Sequence, residues 1–336
     1  MTKSLSKRLA LCLLMLLISG PATSPAQTGS ADGEAVIMFD FNLDRMRQNE
    51  LVKNGGVADM LQNSDVILPG PLAADPENVI RIYGGMTAPA NIQDAQSAMT
   101  PNGTANLPVN FFFRVVFSDK EAATAMLDSL KESGTTVVVD GKTYVTPPAQ
   151  EPQNLRAHLV DDKTFEVGTT DYVTRPDRNV FTKALLTNWK ELSDTDAIRI
   201  SIDVAGMQGL FDEGLEMARD QAPPEMFGVI EMGTNLAGLS LGFDMDSENL
   251  LTVIANGKDA DATESLKDGL NGLMAIAKMQ APGMMVMLQD DQQKKAAEQM
   301  VEALKAKSKG NSVMIKIPKP DGFEEIIGGL LPGQNF

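Results

Sequence analysis

The chain has 336 residues, of which 43% are hydrophobic and 22% charged, the composition of an ordinary globular protein rather than a disordered chain or a multi-span membrane protein. Acidic residues outnumber basic ones by 45 to 29, a formal net charge of −16, and such a surface repels phosphate backbones, which excludes nucleic acid as a natural partner. One His, one Cys and one Trp leave little of the vocabulary of nucleophilic or metal-assisted catalysis.

Lys3, Lys7 and Arg8 precede an unbroken apolar run from Leu9 to Ile18, followed by Gly20, Pro21 and small residues. That order predicts a secretory signal peptide over residues 1–26, because the run is shorter than the roughly 20 residues that span a bilayer. Cleavage is expected after Ala26, behind Ser24-Pro25-Ala26, with Ala22 as the alternative. Cys12 lies inside the apolar run and not at a lipobox cleavage position, so the mature chain is expected to lack cysteine and, with it, disulfides and thiolate chemistry. No transmembrane anchor is expected after cleavage, and the loss of three basic residues makes the mature chain more acidic still.

Residues 27–34 read as a flexible leader, and residues 35–178 as a first α+β half. Within it, residues 35–42 are a strand candidate, and a helical stretch follows from Asp44 to about Lys53, broken at Asn54-Gly55-Gly56. Phe111 to Phe117 reads as a strand, and Ala122, Met126, Leu127 and Leu130 as a helical stripe. Residues 137–145 form a hairpin turned by Asp140-Gly141, and a second hairpin sets residues 154–160 against 164–169. Residues 179–196, with Phe181, Leu185, Trp189 and Leu192 on one face, are the expected linking helix.

The second half is expected over residues 197–318. Ile198, Ile200, Ile202 and Val204 alternate with Arg199, Ser201 and Asp203 as in a half-buried strand, and Met207, Leu210, Phe211 and Leu215 follow at helical spacing. Leu239, Leu241, Phe243 and Met245 alternate again, and residues 250–255 return after a turn at Ser247-Glu248-Asn249. Two helices, marked by Leu266, Leu270, Leu273 and Met274 and then by Ala297, Met300 and Leu304, lead to a last strand at Val313, Ile315 and Ile317 and a tail over 319–336. Two relations between the halves compete: Ala122, Met126 and Leu130 fall on Ala296, Met300 and Leu304, whereas Asn110 and Thr124 fall on Asn249 and Thr263 at another offset.

The segments FFFRVVFSDKEAATAML and LLTVIANGKDADATESL, each a strand followed by an acid-capped helix, give the chain its resemblance to a group of bacterial exported proteins with a signal peptide and two cysteine-free α+β halves. The resemblance implies a duplicated α+β fold and brings no catalytic residues with it. The expected architecture is therefore two similar halves, each a mainly antiparallel sheet with amphipathic helices packed on one face.

Gly238-Leu239-Ser240-Leu241-Gly242 matches the G-x-S-x-G elbow of serine hydrolases, but alternation places Ser240 in mid-strand, and His158 precedes the serine instead of following it. His158 alternates with Arg156 and is expected on a half-exposed strand face. Asp40-Phe41-Asn42-Leu43-Asp44 begins like a calcium loop, yet Arg45 replaces the required Gly and Leu51 the bidentate Glu. Asp244, Asp246 and Glu248 read as a strand end and turn, and Asp259 and Asp261 as a helix start, with a weak calcium site left open. Met279, Met284, Met285 and Met287 cluster around Pro282-Gly283 without a His, which favours a core or interface over copper. Trp189, Tyr83, Tyr144 and Tyr172 are the residues available to stack on a glycan.

No P-loop or G-x-G-x-x-G is present, no cofactor is expected, and no catalytic or metal-ligating residue is nominated. The resulting expectation is a secreted or periplasmic binding or structural protein, more an acceptor of an unknown protein or small molecule than an enzyme. The alternative is a carboxylate-dependent hydrolase, with or without calcium.

Overall fold

The structure, a computed structural model, describes residues 34–49, 76–89, 110–146, 155–174, 181–222, 227–285 and 291–323. The expected signal peptide, the Asn54-Gly55-Gly56 break, Met287 and most of the tail lie outside these residues.

The first run of elements comprises β1 (Ile37–Asn42), α1 (Leu43–Gln48), β2 (Val79–Met86), β3 (Phe111–Phe117), α2 (Lys120–Ser133), β4 (Thr135–Val139), β5 (Lys142–Thr146), β6 (Leu155–Leu159) and β7 (Thr164–Thr169). Two short helices, α3 (Thr170–Val173) and α4 (Lys183–Trp189), link it to the second run. That run comprises β8 (Ile198–Asp203), α5 (Gln208–Gln221), α6 (Phe227–Gly233), β9 (Leu236–Phe243), β10 (Asn249–Gly257), α7 (Ala260–Met285), α8 (Asp291–Ala303), β11 (Ala306–Lys309) and β12 (Ser312–Pro318). The α+β class is as expected. The strands of both runs nevertheless make one twelve-stranded sheet, ordered β11-β12-β10-β9-β8-β1-β2-β3-β7-β6-β5-β4, with every neighbouring pair antiparallel.

Local chemistry accounts for the elements. At the β4–β5 turn Asp140 (φ 49°) and Gly141 (φ 76°) both take the left-handed region, as a two-residue hairpin turn with the strand twist requires. Asp119 caps α2 by accepting from Ala122 N at 2.8 Å, and Asp259 accepts from Ala262 N at 2.8 Å at the start of α7. Side-chain caps also follow the first strand of each run. Asn42 accepts from Arg45 N at 3.0 Å, and Asp203 accepts from Gly206 N at 3.0 Å.

The runs join where β1 meets β8. Phe39 pairs with Ile200, and outward from that pair Asp40 meets Arg199 and Met38 meets Ser201. Alternation then assigns the faces. On one face Val115, Phe117, Phe165 and Val167 pack against Ala123, Met126 and Leu130 of α2, and Ala255 and Val313 pack with Phe211 of α5 and with Leu266 and Met274 of α7. Ile202, Leu239, Ala255 and Val313 are cross-strand neighbours, which puts the two cores side by side on this face. The opposite face carries α3, α4 and Phe181, with Phe112, Tyr144, Tyr172 and Val173 as a smaller core. Helices on one face only was thus too simple: the linking segment folds across the second face.

The G-x-S-x-G motif belongs to that second face. Ser240 lies in the middle of β9, fully buried, with its hydroxyl 2.7 Å from that of Ser201 on β8. A Cβ on Gly238 would overlap the Asn188 side-chain amide, and one on Gly242 would overlap Asp196 Oδ2. Small side chains at alternate positions of β9 therefore let α4 and the turn after it approach the sheet backbone. Gly242→Ala is expected to lower stability by about 1–3 kcal/mol, read as a lower urea midpoint with an unchanged m-value. A variant as stable as the parent would contradict this role for the motif.

Candidate functional site

A single row of side chains crosses the second face at right angles to the strands. Register places Arg199 opposite Asp40, Asp40 opposite Tyr83, Tyr83 opposite Arg114, Arg114 opposite Glu166, and Glu166 opposite His158. Directly opposed residues share a face, so five cross-strand pairs line up polar groups from β8 to β6. Each strand contributes one charged or polar side chain to this row from a largely apolar sequence: IRISID, FFFRVVF and TFEVGT.

Asp40 anchors the row. Its Oδ1 accepts from Arg81 Nε at 2.6 Å, and its Oδ2 accepts from Arg81 Nη2 at 2.6 Å and from Arg199 Nη2 and Nε at 2.5 and 3.1 Å. Arg199 is buried, stacks over the Trp189 ring at 4.6 Å, and donates from Nη1 to Asp194 at 2.7 Å. Arg81 instead keeps 40% of its side chain exposed. Its hydrogen bonds to Asp40 hold its pKa above the ordinary arginine value against the opposing effect of burial.

Farther along, Arg114 donates from Nε to Glu166 Oε2 at 2.5 Å. Burial acts to lower the Arg114 pKa, but the Glu166 charge and contact with Tyr83 outweigh it and the net shift is upward. The guanidinium carbons of Arg81 and Arg114 lie 5.2 and 5.8 Å from the centroid of the Tyr83 ring. Both arginines therefore stay charged throughout the accessible pH range, flank one aromatic ring, and are fixed from behind by buried carboxylates. The arrangement can bind an anionic group.

His158 is a correction. It is buried, not half-exposed, with its ring 4.8 Å from Tyr144 edge to face and its Nε2 3.8 Å from Glu166 Oε1. Alternation assigned it to the polar phase of β6 correctly, but this phase is roofed by the smaller core. Nearby Arg156 donates from Nη1 to Thr146 Oγ1 and to Leu155 O.

The acidic motifs are occupied by protein groups. Asp40 is held by two arginines, Asn42 caps α1, and Asp44 accepts from Gln48 at 2.8 Å. Asp244 accepts from Arg45 at 2.8 Å and Asp246 from Asn49 at 2.7 Å, which ties α1 of the first run to the β9–β10 turn of the second. Among the described residues no three His, Cys, Asp or Glu side chains are grouped to hold a metal ion. Met279 is exposed on α7, and Phe323 of the tail is buried with Leu250. Trp189, Tyr144 and Tyr172 serve packing, and Tyr83 alone of the four aromatic candidates joins the row.

Sequence reasoning did not nominate Arg81, Arg114, Glu166 or Arg199. The signal available was a lone charged residue inside an apolar strand, where burial demands a partner.

Among the described residues, Asp196 is the one carboxyl whose pKa is raised. Burial pushes it up, the backbone N–H of Ser193 opposes, and the Asp244 charge adds to the rise. Asp196 therefore binds its proton more tightly folded than unfolded. Its favourable contribution is complete below the unfolded value of about 3.9 and is lost as pH rises through the folded value. Asp196→Asn is accordingly expected to raise the melting temperature at pH 7, with the gain shrinking toward pH 4. A variant that loses stability equally at both pH values would contradict the assignment.

No family model matches the chain, and no curated protein matches it. Among solved structures, crystal form I of TP0453 is similar, with a TM-score of 0.39 at 11% identity over 92% of this chain and 98% of that one. Crystal forms III and IV of TP0453 give TM-scores of 0.37 and 0.38 at 12% identity, covering 88% and 91% of this chain and 94% and 97% of those chains.

Proposed function

We propose that the chain is an exported, non-enzymatic binding protein whose ligand presents a carboxylate or phosphate group to Arg81 and Arg114 across the face of Tyr83. The observation that carries this reading is the pair of partly exposed guanidiniums, fixed by Asp40 and Glu166 on either side of one aromatic ring, in a chain with a net charge of −16. Arginine presents a planar fork of donors that matches carboxylate and phosphate oxygens, and a fork already held in place loses little freedom on binding. Tyr83 offers an apolar plate beside those donors, so a small ligand with one anionic group and a flat or apolar body suits the platform better than a polyanion, which the acidic surface repels. The predicted signal peptide supports export.

The second reading, a carboxylate-dependent hydrolase, draws support from Asp196 beside Asp244 with its raised pKa. Asp244 is clamped by Arg45, however, and Asp196 closes its own turn by accepting from Ser193 N at 3.1 Å, which leaves the pair in structural work.

Thermal denaturation with benzoate, citrate and inorganic phosphate tests the binding reading. At least one of the three is expected to raise the melting temperature saturably, by an amount equivalent to about 2.7 kcal/mol at a hundred times its Kd. Arg81→Gln and Arg114→Gln are each expected to weaken that ligand about tenfold or more, since a hydrogen bond to a charged group contributes about 1.5–3 kcal/mol. No shift with any probe, or shifts indifferent to both substitutions, would overturn the proposal.

A further inference from the structure

The two edges of the sheet are protected differently. At one end β11 is a four-residue strand, Ala-Lys-Ser-Lys, with Lys307 and Lys309 exposed. A second strand approaching that edge would have to desolvate two ammonium groups, a common natural defence against edge-to-edge pairing. At the other end β4 reads Thr-Thr-Val-Val-Val, with no charge, no proline and no break in its pairing with β5. Val138 is 67% exposed there, and Thr135 and Thr136 are exposed beside it. Among the described residues no strand covers its outer side.

We propose that the outer edge of β4 is a docking surface for a second copy of this chain, which joins through its own β4 in antiparallel register. The strand is self-complementary about Val137: Thr136 of one copy would face Val138 of the other, and Thr135 would face Val139. Each such pair sets a β-branched side chain against another, and β-branched side chains fit the pleated surface of paired strands. Extending the register puts Asp140 opposite Gly134, so no like charges meet along the seam although each copy carries a net charge of −16. The pairing would cover Val138, and its two-fold symmetry would close the assembly at two copies. Pairing β4 to β11 of another copy would instead give an open chain of molecules, and Lys307 and Lys309 oppose it. The join between β1 and β8 has the same form, an antiparallel seam stepping outward from one central pair, Phe39 with Ile200.

Sedimentation velocity of the protein purified from its native host, followed across a wide concentration range, tests the proposal. A reversible monomer–dimer equilibrium is expected. Val138→Lys and, independently, Thr136→Lys are expected to weaken it about tenfold or more, because each substitution acts twice across a two-fold seam. Ser308→Val on the opposite edge is expected to leave it unchanged. The two β4 positions are exposed, so their melting temperatures when dilute should match the parent, and either variant suffices if the other fails to fold. A parent that stays monomeric at the highest concentration, or a dimer indifferent to both β4 substitutions, would overturn the proposal, as would a dimer lost with Ser308→Val.

Discussion

The contact between Asp40 and Arg199 is the constraint on which the rest of the structure depends. It crosses the seam between β1 and β8, where two runs of strands become one sheet, and both side chains are almost wholly excluded from water. Removing two charges from solvent is costly, and the cost is recovered only when geometry and further hydrogen bonds are good. Here the carboxylate is shared by two guanidiniums, and Arg199 has a second carboxylate in Asp194 and an aromatic face in Trp189. A slip of one residue between β1 and β8 would turn Asp40 toward the helical core and leave Arg199 buried without its partner. The charge pair thereby specifies the register that apolar alternation alone also favours.

From this anchor the polar row runs past the partly exposed Arg81 and Arg114 and ends on the buried Glu166 and His158. Arg199 is sealed beneath α4, whereas Arg81 shares the same carboxylate and reaches solvent. Glu166 repeats the device two strands beyond β2 by holding Arg114. Buried carboxylates thus position partly exposed arginines. In the proposed binding site this fixes two partly exposed guanidiniums on the sheet and not on a loop. The side chains that would meet a ligand are fixed by strands whose other face is a packed core.

Much of the fold was legible in the sequence. The alternation of Ile198, Ile200 and Ile202, the Asp140-Gly141 turn and the apolar stripe of α2 each state their element through local periodicity or turn chemistry. Strand β2 was not read from the sequence, where Gly84-Gly85 interrupts the apolar pattern of Val79, Ile80, Ile82 and Tyr83. Those glycines are needed because Gly84 lies against the backbone of Phe112 and Phe181 sits over Gly85. The burial of His158 and the use of Gly238, Ser240 and Gly242 as a landing for α4 were hidden for a related reason: periodicity reports which residues share a face, not what later folds over it. The row itself was legible only in fragments, as single charges in apolar strands, since its members come from six strands spread between Asp40 and Arg199.

Equilibrium urea denaturation of Asp40→Ala tests the central claim most directly. Truncation would leave the buried Arg199 guanidinium without its cross-seam partner, and the expected loss is about 3–5 kcal/mol, the cost of breaking a buried pair. A loss below about 1 kcal/mol, the scale of a solvent-exposed ion pair, would show that the seam between β1 and β8 does not depend on Asp40 and would contradict the account.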